Sequence, residues 1–232
     1  MRDSLRQILS RLYSRAEANL FPLRHKERKE VAYWQSRLSE EGQLRNHHYL
    51  QSYTSPFDLE PSFYTGKRIL DIGCGPRGSL EWADMATERV GLDPLVPTYL
   101  KMGADRHRMT YVAASSDAIP FAADYFDVVC SINSLDHVAD MKKTISEIKR
   151  VARPGGVFLL VTEVNHEPTS TEPLKLPWNI SEAFTDAFTL LAEKRYEIGN
   201  HDIHGQILID DRFDETNRVD RPGIVLGKFI KK

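Results

Sequence analysis

The residues best able to do chemistry fall in four clusters along this chain. The first is Gly73-Cys74-Gly75-Pro76-Arg77-Gly78, directly after the short apolar run Ile69-Leu70-Asp71-Ile72. Glycines that end a strand let the backbone turn tightly and bring main-chain N–H groups close to a ligand. Asp93 follows Gly73 by twenty residues, at the end of Arg89-Val90-Gly91-Leu92, and offers a carboxylate. Ser116-Asp117-Ala118 follows a third apolar run, and Asn133-Ser134-Leu135-Asp136-His137 follows a fourth. A carboxylate accepts hydroxyl and amino donors, and a neutral imidazole takes up a proton near physiological pH. The set reads as a nucleotide-type cradle with an acid–base group at its open edge.

The pattern Gly73-x-Gly75-x-x-Gly78 with Asp93 also fits a dinucleotide fingerprint. Alone that match is weak, because a glycine triplet is often just a turn. Adjacent His47 and His48 raise the question of a metal, but sequence neighbours rarely converge on one ion without further ligands. No metal-ligating set is expected.

The elements that must position these residues alternate. Strands are predicted at Ile69–Ile72, Arg89–Leu92, Met109–Ala113, Tyr125–Ile132 and Val157–Thr162, with helices over about 79–86, 99–103 and 140–151. Met141, Ile145, Ile148 and Val151 form the core stripe of the third helix, and Arg153-Pro154-Gly155-Gly156 reads as a turn. This alternation implies a mostly parallel sheet with helices on both faces, and ligands in such sheets bind beyond the carboxyl ends of the strands. All four clusters lie at such ends. Further on, residues 164–179 form a long connection with three prolines on the same side, 180–188 looks helical, and 201–221, polar and acidic, is expected to form a loop or a partly ordered hairpin. Strands are expected at Thr189–Ile198 and Gly223–Ile230.

Ahead of the first strand, Leu5, Ile8, Leu9 and Leu12 recur at helical spacing. Residues 1–30 carry eight basic and four acidic side chains, a local balance of +4. The expected use is a helix packed on its own domain or on a second subunit, with a membrane-surface helix as the alternative. A second helical pattern over about 27–38 places Val31, Trp34 and Leu38 on one stripe. The expected division is therefore an N-terminal helical cap or lid over 1–64 and a main domain over 65–232. The net charge of -2 gives no field for nucleic acid, and two cysteines, Cys74 and Cys130, do not make a disulfide framework. No run approaches the ~18 apolar residues of a bilayer span, and no signal-peptide core is evident. A cytoplasmic location is expected.

Five stretches, taken in order and spacing, resemble the class I S-adenosylmethionine-dependent methyltransferases of the small type 11 kind. They are Leu70–Gly75, Gly91-Leu92-Asp93, Ser116–Phe121, Phe126–Val129 and Arg153–Gly156, within about residues 65–163. The resemblance implies an α/β fold with a Rossmann-like, doubly wound, seven-stranded sheet, mostly parallel, whose last strand is antiparallel. It implies S-adenosylmethionine as cofactor. Gly73, Cys74 and Gly75 would approach its methionine part while Asp71 orders the loop. Asp93, with Pro94 behind it, would accept both ribose hydroxyls. Asp117 would accept the adenine amino group, Ala118 would offer its N–H to the ring, and Asn133 would be a further cofactor contact.

The motif for exocyclic amines, Asn/Asp-Pro-Pro-aromatic, is absent after the fourth strand. Hydroxyl, carboxyl, carbon and simple amine acceptors stay open, and a small molecule or saccharide methylated at oxygen is the reading adopted. His137 is the candidate base, with His166 competing for the role. Asp136 would bind acceptor hydroxyls or simply cap the following helix. Tyr49, Tyr53, Trp178 and His166 are candidate acceptor contacts. A nicotinamide oxidoreductase sharing only the glycine loop, or a non-catalytic cofactor-binding scaffold, are the alternatives. A homodimer is possible on this reading, and no nucleic-acid partner is expected.

Overall fold

A computed structural model describes residues 22–217 and 220–232. Its seven strands are β1 (Arg68–Ile72), β2 (Glu88–Leu92), β3 (Thr110–Val112), β4 (Phe126–Ile132), β5 (Ala152–Val164), β6 (Phe188–Tyr196) and β7 (Gly223–Lys231). They form one sheet in the order β3-β2-β1-β4-β5-β7-β6. β1 pairs in parallel with β2 and with β4, so Asp71 lies between Gly91 and Cys130. β7 runs antiparallel to both of its neighbours. The chain first builds outward from β1 to β3, then returns to add β4 on the other side. That reversal opens a crevice at the carboxyl ends of β1 and β4.

The central strands are buried on both faces, which is why they read as continuous apolar runs. Leu70, Ile72, Val129, Phe158 and Leu160 point to one core, and Ile69, Val128, Cys130 and Leu159 to the other. Against the first core packs a helix, Met141–Val151, through Ile145, Ile148 and Val151. Asp140 caps it by accepting from the Lys143 N–H at 3.1 Å.

Ahead of β1 the chain forms α1 (Pro22–Glu41), α2 (Tyr49–Ser52) and two 3-10 turns, Ser55–Phe57 and Pro61–Tyr64. In α1, Val31 and Trp34 are half-buried against Leu95, Tyr99 and Ala104. Arg77 ties the far end of α1 to the glycine loop, donating to both Glu41 oxygens at 2.6 and 2.8 Å. The amphipathic pattern over 2–20 lies outside the described residues.

Four expectations differ. Residues 79–86 form turns instead of a helix. Gly78 holds φ at +72°, the Ser79 hydroxyl donates to the Asp71 carboxylate instead of capping, and the Trp82 indole N–H donates to the Ser79 carbonyl at 2.9 Å. The expected turn Arg153–Gly156 is drawn into β5, where the pairing with β4 shifts between Phe126 and Val128. Residues 180–188 give only a 3-10 turn, Ile180–Phe184, before β6 begins. The stretch after β6 contains a short helix, Ile203–Leu208, capped by Asp202, which accepts from the Gly205 N–H at 2.8 Å.

Candidate functional site

At the carboxyl ends of β1, β2 and β4 lies a cavity of about 800 Å³, walled on its outer side by α1. Its floor is the glycine loop. Gly73 holds φ at +72° and Gly75 at +58°, both left-handed, and a Cβ on Gly73 would run into the Ser134 side chain. These glycines therefore present bare backbone to the cavity. Ser134 locks the opposite side by donating from Oγ to the Ile72 carbonyl at 2.7 Å.

Beneath the loop Asp71 is fully buried and accepts from the Tyr53 hydroxyl at 2.9 Å and from Ser79. Burial pushes its carboxyl up to about 7 against the opposing pull of those two donors. Asp71 thus orders the loop through Ser79 and anchors the cap through Tyr53. Asp93 is also buried, at 4% exposure, and is pinned by the N–H groups of Leu95 at 2.8 Å and Gly75 at 3.4 Å. Burial, and then the charge of Glu30 on α1, push it up to about 7. A carboxylate held by two backbone donors in the cavity wall is preorganised to accept hydroxyl groups from a ligand.

Beyond β4 the wall turns acidic. Asn133 adopts φ +56°, and the 3-10 turn Leu135–His137 follows. His137 faces the cavity, and Asp136 beside it has no exposed surface. The long connection after β5 folds back over this turn. Its neck is closed by the Asn165 N–H donating to the Leu176 carbonyl at 2.8 Å, and the Leu174 N–H donates to the Asp136 carbonyl at 3.3 Å. That fold brings Glu172 Oε1 to 3.9 Å from His137 Nε2 and His166 Nε2 to 3.5 Å from Asp136 Oδ2. Glu163 joins the same wall, its carboxyl pushed up by burial and by the charges of Glu172 and Asp136. The remaining side is aromatic. His48 and Tyr49 pack with His204, whose ring burial drives down to about 4, leaving it neutral.

The predicted residues divide accordingly. Asp71, Gly73, Cys74, Gly75, Asp93, Pro94, Asn133, His137, Tyr49 and Tyr53 line the one cavity. Asp136 stands 4.0 Å from His137, and His166 stands 3.5 Å from Asp136. Asp117 and Ala118 follow the lining residues Ser115 and Ser116 without lining the cavity themselves. Trp178 lies elsewhere, with its ring 4.4 Å from that of Phe213 and its edge against Gly223. Trp34, Arg77, Glu163, Glu172 and His204 also line the cavity, though none is a site candidate from the sequence. Of these, Arg77 carried a signal, since it sits inside the glycine loop.

Residues 70–160 match the family model of a methyltransferase domain. The malonyl-[acyl-carrier protein] O-methyltransferase of Salmonella typhimurium is 34% identical over 125 residues, 52% of this chain and 49% of that protein. The chloroplastic tocopherol O-methyltransferase of Arabidopsis thaliana is 31% identical over 137 residues, 54% of this chain and 39% of that protein. The chain spans half or less of the length of these curated relatives. Among solved structures, an S-adenosylmethionine-dependent methyltransferase from Mesorhizobium loti superposes with a TM-score of 0.56 at 21% identity, covering 78% of this chain and 95% of that one. This likeness speaks to the fold.

Proposed function

Since the core of this chain, residues 70–160, belongs to the class I S-adenosylmethionine-dependent methyltransferases, we propose that it methylates a small-molecule or saccharide acceptor at oxygen. The observation that carries the proposal is the meeting of the glycine loop, Asp93 and His137 in one cavity. The residues fit the cofactor. The buried Asp93 carboxylate suits paired ribose hydroxyls, and the bare backbone at Gly73 and Gly75 suits the amino-acid end. The volume is within the ~300–1,000 Å³ of small-ligand sites. Asp117, one step past Ser116, is the adenine partner in this reading. Residues 1–64 act as the lid of a catalytic domain over 65–232, with Trp34 and Arg77 as the contacts that close it.

When bound, the cofactor supplies a methyl group on a sulfonium whose sulfur keeps the carbon–sulfur electron pair, so departure needs no acid. Alignment of the acceptor then supplies much of the rate. His137 is placed to act on the accepting hydroxyl, drawing off its proton as the oxygen attacks. Asp136, 4.0 Å from the His137 ring nitrogen, places a carboxylate beside the imidazole without a hydrogen bond to it. The neutral wall of Tyr49, His48 and His204 gives the acceptor an uncharged surface. The two curated relatives above, both named as O-methyltransferases, support oxygen as the accepting atom.

His137→Ala should lower kcat by roughly 10²–10⁴, measured with methyl-labelled cofactor across a panel of hydroxylated acceptors. His137→Gln, polar without useful basicity, should be nearly as poor. Near-normal rates in both variants from pH 6 to 9 would move the search to His166.

A further inference from the structure

The wall beyond β4 holds more unpartnered polar atoms than proton transfer requires. Asp136 Oδ2, His137 Nε2 and His166 Nε2 are all buried without a hydrogen-bond partner. The separations among these groups are 4.0 Å (His137 Nε2 to Asp136 Oδ1), 3.9 Å (His137 Nε2 to Glu172 Oε1) and 3.5 Å (His166 Nε2 to Asp136 Oδ2). These are too long for hydrogen bonds. Ligand atoms of Asp136, His137 and Glu172 nevertheless lie within 4.8 Å of one another. Among the described residues no lysine or arginine ion-pairs with Asp136, Glu163 or Glu172. A fully buried carboxylate facing two more carboxylates, with no lysine or arginine among the described residues to offset them, is costly unless a positive charge enters.

We propose that Asp136, His137 and Glu172 form a divalent-cation site at the acceptor end of the cavity. One imidazole nitrogen with two carboxylates suits an ion of the manganese, iron or zinc class over magnesium or calcium, whose sites are built from oxygen alone. The supporting groups are in place. The Glu172 carboxylate accepts from the Thr169 hydroxyl at 3.0 Å, which leaves its Oε1 toward His137. The Thr162 hydroxyl stands 3.4 Å from Asp136 Oδ1. His166 donates from Nδ1 to the Glu167 carbonyl at 3.0 Å, which fixes its ring with Nε2 toward Asp136 Oδ2. Such outer partners orient metal ligands.

The inference rests on the methyltransferase reading only for its purpose. There the ion would hold the acceptor's oxygen beside the cofactor and ease loss of its proton, and His137, with its Nε2 lone pair on the ion, would serve as a ligand in place of the base role. The site also ties the loop 164–179 to the turn after β4, because Glu172 comes from one and Asp136 and His137 from the other.

The test is calorimetric titration of the full chain with Mn²⁺ after dialysis against chelator, with loss of the free Mn²⁺ electron-resonance signal as a second readout. The expected result is one ion per chain and a raised unfolding temperature. Glu172→Ala, at a partly exposed position where folding is not at stake, should weaken binding by roughly tenfold or more. Asp136→Asn should weaken it further. No binding by the wild type, or equal binding by Glu172→Ala, overturns the site. A parallel titration with S-adenosylmethionine separates the two readings. Cofactor binding without Mn²⁺ binding removes the metal site alone, whereas Mn²⁺ binding without cofactor binding removes the methyltransferase reading alone.

Discussion

Asp93 should make cofactor affinity rise with pH. In the free protein its carboxyl is pushed up to about 7, first by burial and then by Glu30, against the Leu95 and Gly75 N–H groups and Lys26. Accepting two ribose hydroxyls requires the ionised form, so the apparent dissociation constant is the intrinsic one divided by the ionised fraction. That fraction is roughly one-eleventh at pH 6 and ten-elevenths at pH 8 for a group titrating near 7. Binding should therefore tighten about tenfold over that interval. Asp71 is likewise pushed to about 7, with the Asp93 charge as one cause, so the wild-type profile reports the coupled pair. Asp93→Asn keeps the size and removes the charge, and its profile should lose most of the slope. At pH 8, Asp93→Ala should cost about 1.5–3 kcal/mol, the scale for hydrogen bonds to a charged group, or roughly 10- to 150-fold in affinity. The sign for stability is the reverse. A carboxyl whose folded pKa lies above its unfolded value of about 3.9 favours the folded state while protonated. The unliganded protein should thus lose stability as pH rises from about 4 to 7, and Asp93→Asn should lose less. Calorimetry at pH 6, 7 and 8 measures the affinities. Unchanged affinity in Asp93→Ala, or binding that weakens as pH rises, would refute the reasoning.

Two further outcomes follow from the packing around the loop. Tyr53→Phe removes one of the two side-chain donors to the buried Asp71 carboxylate, and urea unfolding should show a loss of about 1–3 kcal/mol. Trp34→Ala should raise the cofactor dissociation constant about tenfold, the equivalent of 1.4 kcal/mol, because the ring stands 3.2 Å from where a Gly75 Cβ would lie and so covers the bare loop. Retained affinity there would show that α1 packs on the domain without closing it.

The residues proposed to hold the cofactor meet in one cavity and were legible because their determinants are local. Gly73, Gly75 and Asp93 each sit within three residues of a strand end, and apolar runs such as Leu70–Ile72 announce those strands. Residues 79–86 misled because their composition suits a helix. Asp71, eight residues back in sequence, competes for the Ser79 hydroxyl that would have capped it. The acceptor end was only half legible. His137 follows a strand and was visible, but Glu172 reaches it across a loop whose closure depends on single backbone bonds such as Asn165 to Leu176. Trp178 shows the converse. A large aromatic beside a proline loop suited a pocket, yet it packs at Gly223, where the absent side chain makes room. His204 joins the aromatic wall from a short helix, Ile203–Leu208, inside a stretch that reads only as polar.

The cavity formed by the glycine loop and Asp93 should take S-adenosylmethionine. Titrating the wild-type chain with S-adenosylmethionine and, separately, with NAD at pH 8 tests it most directly. One equivalent of S-adenosylmethionine should bind, competed by S-adenosylhomocysteine, with no heat from NAD. Saturable NAD binding without S-adenosylmethionine binding would contradict it.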